Sequence, residues 1–254
     1  MKPCYVIGRR GGLWVNLDGP ALSIKQPERA CQLVPLNRIS RLIVSGPADI
    51  STPALLACAE RGISITFLQP NGQVRAYLFG DSPRRDSLWQ RLQDFLDRPD
   101  WAERYSDWTR AVDSRAHCAL CKRLQQSPER YTLAHIENRL RDWQTERLGA
   151  RQYGFVSGRL HGLSAALAAE LLTEFGLGAE HLRAIGNRLD LPSAPARWLH
   201  LDLLNPFAVW LNRQPVGAPI DDRALVAFFE SRVPRLQRLG RQILNRLHGF
   251  LLEL

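Results

Sequence analysis

Lysine is nearly missing from this chain. Only Lys2, Lys25 and Lys122 occur, so 31 of the 34 basic residues are arginines. Long apolar runs are missing too. Nowhere do about eighteen apolar residues follow one another, which excludes a membrane-spanning helix. The opening Met1-Lys2-Pro3-Cys4-Tyr5-Val6-Ile7-Gly8 lacks the apolar stretch of a secretory leader and starts like a strand, so a cytoplasmic location is expected. A second C-x-x-C pair is also absent. Cys118 and Cys121 form the one pair, and a structural zinc site commonly needs two, so zinc is not expected. The remaining cysteines, Cys4, Cys31 and Cys58, read as small, reduced core residues. Internal repeats and low-complexity segments are absent, which excludes solenoids and disordered tails.

What is present is a chain of 254 residues, 45% of them apolar, enough for one large or two modest cores. The formal net charge is +9, which points to an anionic partner, most commonly nucleic acid. Arginine forks onto a phosphate through two parallel hydrogen bonds, where lysine offers only a point charge. A GC-rich genome would also favour arginine codons, but it accounts less well for the net charge.

The first eighty residues read as β-rich. Short strands are expected at Cys4–Ile7, Leu13–Leu17, Ala21–Ile24, Cys31–Pro35, Ile39–Val44, Ile63–Leu68 and Gln73–Phe79. Ser51-Thr52-Pro53 looks like a capped helix start, and Gly62 like its stop. Asn71-Gly72 is a strong hairpin turn. Residues 81–86 read as a linker. From Ser87 onward apolar residues recur at helical spacing. Helices are expected at Leu88–Leu96, Trp101–Gln126, Tyr131–Leu148, Leu160–Phe175, Leu199–Leu211 and in a last pair from Asp222. Pro192 and Pro195 suggest a loop between Gly176 and Arg197. The expected fold class is α+β: a small β-rich domain over residues 1–80, then a larger all-helical domain over 87–254.

Three stretches carry a resemblance to a known family. They are Leu33–Gly46 (LVPLNRISRLIVSG), Ile50–Leu56 (ISTPALL) and Cys58–Leu68 (CAERGISITFL), in one register from Leu33 to Gly72. They resemble the N-terminal domain of the CRISPR-associated spacer integrases. The resemblance implies an adaptation role in antiviral defence, a dimer assembled through the β domain, and a larger complex with the small partner called Cas-two.

The helical part is similar to the family at two further places. In His135–Arg141, Glu137 falls where the family places a metal-binding glutamate, with Asn138 in place of the usual glycine. In Leu199–Phe207, Asp202 falls on the first acidic position and Asn205 on the second, with Ala208 in place of the usual arginine. A spacing of three sets Asp202 and Asn205 on one helix face. The family histidine, about ten residues before that aspartate, has no counterpart. His181 lies too early. His200 lies two residues from Asp202, about 200° round a helix, so the two side chains point apart. The resemblance implies phosphodiester transfer at Mg2+ or Mn2+, with Glu137 and Asp202 as surviving catalytic ligands and Asn205 as a degenerate one. An amide is a poor magnesium ligand beside a carboxylate. Both acids also have plainer readings. Glu137 can pair with Arg141 one turn on, and a half-buried Asp202 can pair with an arginine from a packed helix.

The candidate DNA surface is the set Arg84, Arg85, Lys122, Arg123, Arg139, Arg141, Arg147, Arg151, Arg235, Arg238 and Arg241. With Arg232, the last three are spaced by three and form a slowly drifting ridge. Any single arginine here is better read as part of a solvated helix face, and it is the clusters taken together that point to DNA. Three readings stay open. The first is a DNA-binding adaptation subunit with weakened or lost catalysis. The second is an active metal-dependent integrase and endonuclease, and the third a basic module that binds RNA or an acidic protein.

Overall fold

The computed structural model describes residues 1–8, 12–27, 29–80, 87–186 and 188–253. The expected linker at 81–86 lies outside the described residues, as do Arg84 and Arg85.

Among the described residues eight strands come first: β1 (Lys2–Ile7), β2 (Trp14–Asp18), β3 (Ala21–Lys25), β4 (Gln32–Pro35), β5 (Ile39–Ser45), β6 (Asp49–Ile50), β7 (Ser64–Leu68) and β8 (Val74–Leu78). One sheet has the order β1-β5-β7-β8, parallel except for β8. The other has the order β4-β3-β2-β6. β5 is buried along almost its whole length, as a run of Ile, Leu and Val in a central parallel strand should be. Helix α1 (Thr52–Glu60) packs on β2 and β7. Ser51 stands at its N-cap, but the hydroxyl makes no capping bond; its main-chain oxygen accepts from Ala54 and Leu55 instead.

The helical part holds α2 (Ser87–Leu96), α3 (Trp101–Leu124), α4 (Leu133–Leu148), α5 (Ala150–Glu174), α6 (Ala179–Ile185), α7 (Ser193–Asn212) and α8 (Asp222–Leu252). Helix α5 is the axis, with every residue from Gly162 to Leu172 buried. It begins ten residues before the expected Leu160 because its first turns, with Arg151, Gln152, Gly154 and Gly158, carry little apolar signal. The expected loop at 176–197 is also corrected: it holds α6 and the start of α7. Pro195 sits in the first turn of α7, where a missing amide costs nothing. The expected last pair is one helix of 31 residues. Pro234 does not break it, because Leu225, Phe228, Phe229, Leu236, Ile243 and Leu247 anchor both halves in the core.

Sheet and helices share that core. Ile43 of β5 and Leu68 of β7 belong to the same apolar cluster as α5, α7 and α8. Beside it runs a buried polar network. Arg41 on β5 is 1% exposed and pairs with Glu170 on α5 and, at 3.2 Å, with Glu230 on α8, while Tyr5 on β1 donates to Glu230. The hairpin tip at Gly72, with φ +86°, rests against the backbone of Gly158 and Arg159 on α5. This packing fixes α5 against the sheet, and α4 and α7 against α5.

Candidate functional site

The site is built on α7, and a proline shapes it. Pro206 has no amide hydrogen, so the carbonyl of Asp202, four residues earlier, loses its helical donor. Arg123, near the end of α3, supplies the replacement through Nη1 at 3.0 Å. Its Nη2 donates to Asp202 Oδ1. From α8, Arg235 donates through Nε to Oδ2 at 2.8 Å and through Nη2 to Oδ1 at 3.2 Å. The buried carboxylate therefore meets three N–H groups from two guanidiniums. Burial alone would raise its pKa, but the hydrogen bonds from Arg235 and Arg123 outweigh that and hold it below the ordinary range. The partner expected of a half-buried aspartate is thus doubled. Pro206 was the overlooked signal, since it marks a main-chain acceptor in need of a donor.

Glu137 sits apart from this cluster. It lines a cavity of about 190 Å3 between α4, α5 and α7, together with Arg141, Gln144, Tyr153 and His200. Asp202 does not line it. Burial raises the Glu137 carboxyl; Arg197 and Arg141 pull it back, and Asp113 adds to the rise. His200 has its pKa pushed down to about 4 by burial, with His161 alongside adding to the fall. The two rings stand nearly perpendicular, 5.6 Å between centroids. His200 Nδ1 is buried and finds no hydrogen-bond partner among the described residues. Asp113 on α3 accepts from Arg197 and from Trp198 Nε1 at 2.7 Å. Neither His161 nor Asp113 was singled out in the sequence, where nothing sets them apart from other polar helix residues. His181 serves α6, accepting from the Gly178 amide at 3.1 Å and packing on Trp89.

A family model described as CRISPR associated protein Cas1 matches residues 6–148. The chain belongs to the Cas1 family. Among curated proteins none matches the sequence. The fold is similar to that of a CAS1 protein from Thermotoga maritima (TM-score 0.68, 12% identity, 98% of this chain and 97% of that one). It is also similar to the TtCas1–DNA complex (0.60, 16%, 99% and 91%) and to a casposase bound to integration product (0.56, 14%, 100% and 92%). At these identities the likeness shows the fold.

The metal that Cas1 membership implies does not fit the Asp202 cluster. A divalent ion needs two or more strong oxygen or nitrogen donors turned to one point. Asp202 turns its oxygens to two arginines, Asn205 offers an amide, and Glu137 lines a cavity with His200 that Asp202 does not reach. Among the described residues no group of three or more His, Cys, Asp or Glu side chains gathers to hold a metal.

The basic residues divide in the same way. Lys122, Arg139, Arg141, Arg151 and Arg238 are exposed. Arg123 and Arg235, far apart in sequence, meet on Asp202. Arg241 pairs with Glu174 at 3.0 Å. Arg147 caps the end of α7, donating to the carbonyls of Leu211, Asn212 and Gln214.

Proposed function

We propose that this chain serves CRISPR adaptation as a DNA-binding Cas1-family subunit whose own strand-transfer chemistry is weakened or lost. The observation that carries this reading is the Asp202 carboxylate, bonded by Arg123 and Arg235 where the family would present a metal ligand. Family membership and the basic exposed helix faces support DNA as the partner. Relatives of the same fold have been seen with DNA and with an integration product. On this reading residues 1–80 dimerise, residues 87–254 grip DNA phosphates, and a Cas-two partner completes the complex in the cytoplasm. No helix among the described residues is long and apolar enough to cross a membrane.

Strand transfer and cleavage of a branched DNA in Mn2+ and Mg2+ test this, comparing the native chain with Glu137→Ala. The expected outcome is that both bind the DNA, that binding falls steeply with salt, and that neither cuts or joins it. A second reading, an active metal-dependent integrase, draws on Glu137 and His200 lining one cavity. Turnover by the native chain that is lost in Glu137→Ala would establish that second reading instead.

A further inference from the structure

We propose that Arg123, Asp202 and Arg235 form a built-in phosphate seat, in which Asp202 is a positioning residue for two guanidiniums and not a metal ligand. This rests on the DNA-binding reading and specifies one contact within it.

The three residues come from three different helices, α3, α7 and α8. Two positive charges face one negative charge, which leaves the cluster at net +1. Asp202 is the deepest member, its side chain 7% exposed, against 24% for Arg123 and 53% for Arg235. The carboxylate thus lies underneath and the guanidiniums on top. Arg235 commits Nε and Nη2 to Asp202. Its Nη1 has no acceptor among the described residues. Arg123 commits both Nη groups, one to the main chain and one to the carboxylate. Among the described residues no acid other than Asp202 pairs with Arg123 or Arg235, so no second ion pair takes up the surplus charge.

A lone surface arginine samples many rotamers and loses that freedom when it meets a phosphate. Here the loss has already been taken in folding, because the carboxylate holds both planes in place. A phosphate oxygen approaching from solvent meets oriented N–H groups and a net positive field, with no metal between them. Lys122 next to Arg123, and the exposed Arg232 and Arg238 one turn either side of Arg235, extend the same surface along the backbone of a duplex.

The sign of one substitution decides the matter. If Asp202 were only a nearby negative charge, Asp202→Asn would tighten DNA binding by removing repulsion. If Asp202 orients the arginines, the same change weakens it. The experiment is fluorescence anisotropy of a labelled branched DNA over a salt series, in EDTA and in Mn2+. Uptake of Mn2+ alone is followed by the resonance of the free ion. Expected are equal native affinities in EDTA and Mn2+, and binding several-fold weaker in Asp202→Asn. Arg235→Gln should also bind more weakly, with a log–log salt slope shallower by about one. Tighter or unchanged binding by a folded Asp202→Asn overturns the proposal, as does Mn2+ uptake that this variant abolishes. Should Asp202→Asn fail to fold, Arg235→Gln decides: an unchanged affinity and slope overturns the seat. A native chain that binds no DNA at low salt defeats the DNA-binding reading itself, and the seat with it.

Discussion

Pro206 determines how Asp202 can be used. It opens a carbonyl that Arg123 fills, and the same guanidinium then reaches the carboxylate. His200, two residues before Asp202, faces the other way and is shaped by burial first and by the neighbouring His161 second. With its pKa depressed to about 4 from an ordinary 6.5, it stays neutral in the folded chain well into acid. Above pH 6.5 folded and unfolded chains both carry the neutral ring. Between 6.5 and about 4 the unfolded chain takes up the proton and the folded one does not. Stability therefore falls as pH falls through that window, by about 3 kcal/mol in all. Urea unfolding of the native chain and of His200→Gln across this range should show the variant with the shallower decline; parallel declines would refute the assignment. At this scale the sequence was legible in part. Glu137, Asp202 and Asn205 could be nominated as candidates by register, because family motifs are short and local. Their partners could not, because Arg123 and Arg235 lie in other helices and only tertiary packing brings them in.

Strands and long amphipathic helices were legible because their periods repeat over many residues. The failures fall where a helix lacks that period. Helix α6 is seven residues long, and the first turns of α5 expose small and polar side chains. The glycines of α5 were unreadable for the same reason: their role lies in what approaches them. A Cβ on Gly162 would stand 2.1 Å from the Gly72 carbonyl oxygen and 2.9 Å from Leu68. Gly154, on the same helix, has nothing within 4 Å. Gly162→Ala should thus destabilise by about 1–3 kcal/mol, because the β7–β8 hairpin has to lift off α5. Gly154→Ala should stabilise by roughly 0.5–1 kcal/mol through helix propensity. Thermal melts of the two variants check this contrast, and a loss of similar size in both would contradict the proposed packing.

At the scale of the whole molecule, the sequence suggests two separate domains, yet the sheet and the helices are joined twice over. Ile43 and Leu68 of the sheet lie in the helical core, and Arg41 links β5 to α5 and α8 through Glu170 and Glu230. Neither link can be seen in a linear pattern, since Leu68 meets Gly162 of α5 far along the chain and Arg41 reaches partners 129 and 189 positions away. A sheet whose one face is buried by helices cannot keep that face dry alone. The full chain should therefore unfold in one cooperative transition, with tryptophan fluorescence and circular dichroism giving coincident curves. Arg41→Met should leave Glu170 buried without its cation, at a cost of about 3–5 kcal/mol. Because the network spans both parts, that variant should move both probes to lower urea together. Two separated transitions in the native chain, or an Arg41→Met shift in one probe only, would show that the parts fold independently and that the network is a contact between them and not a bond of the fold.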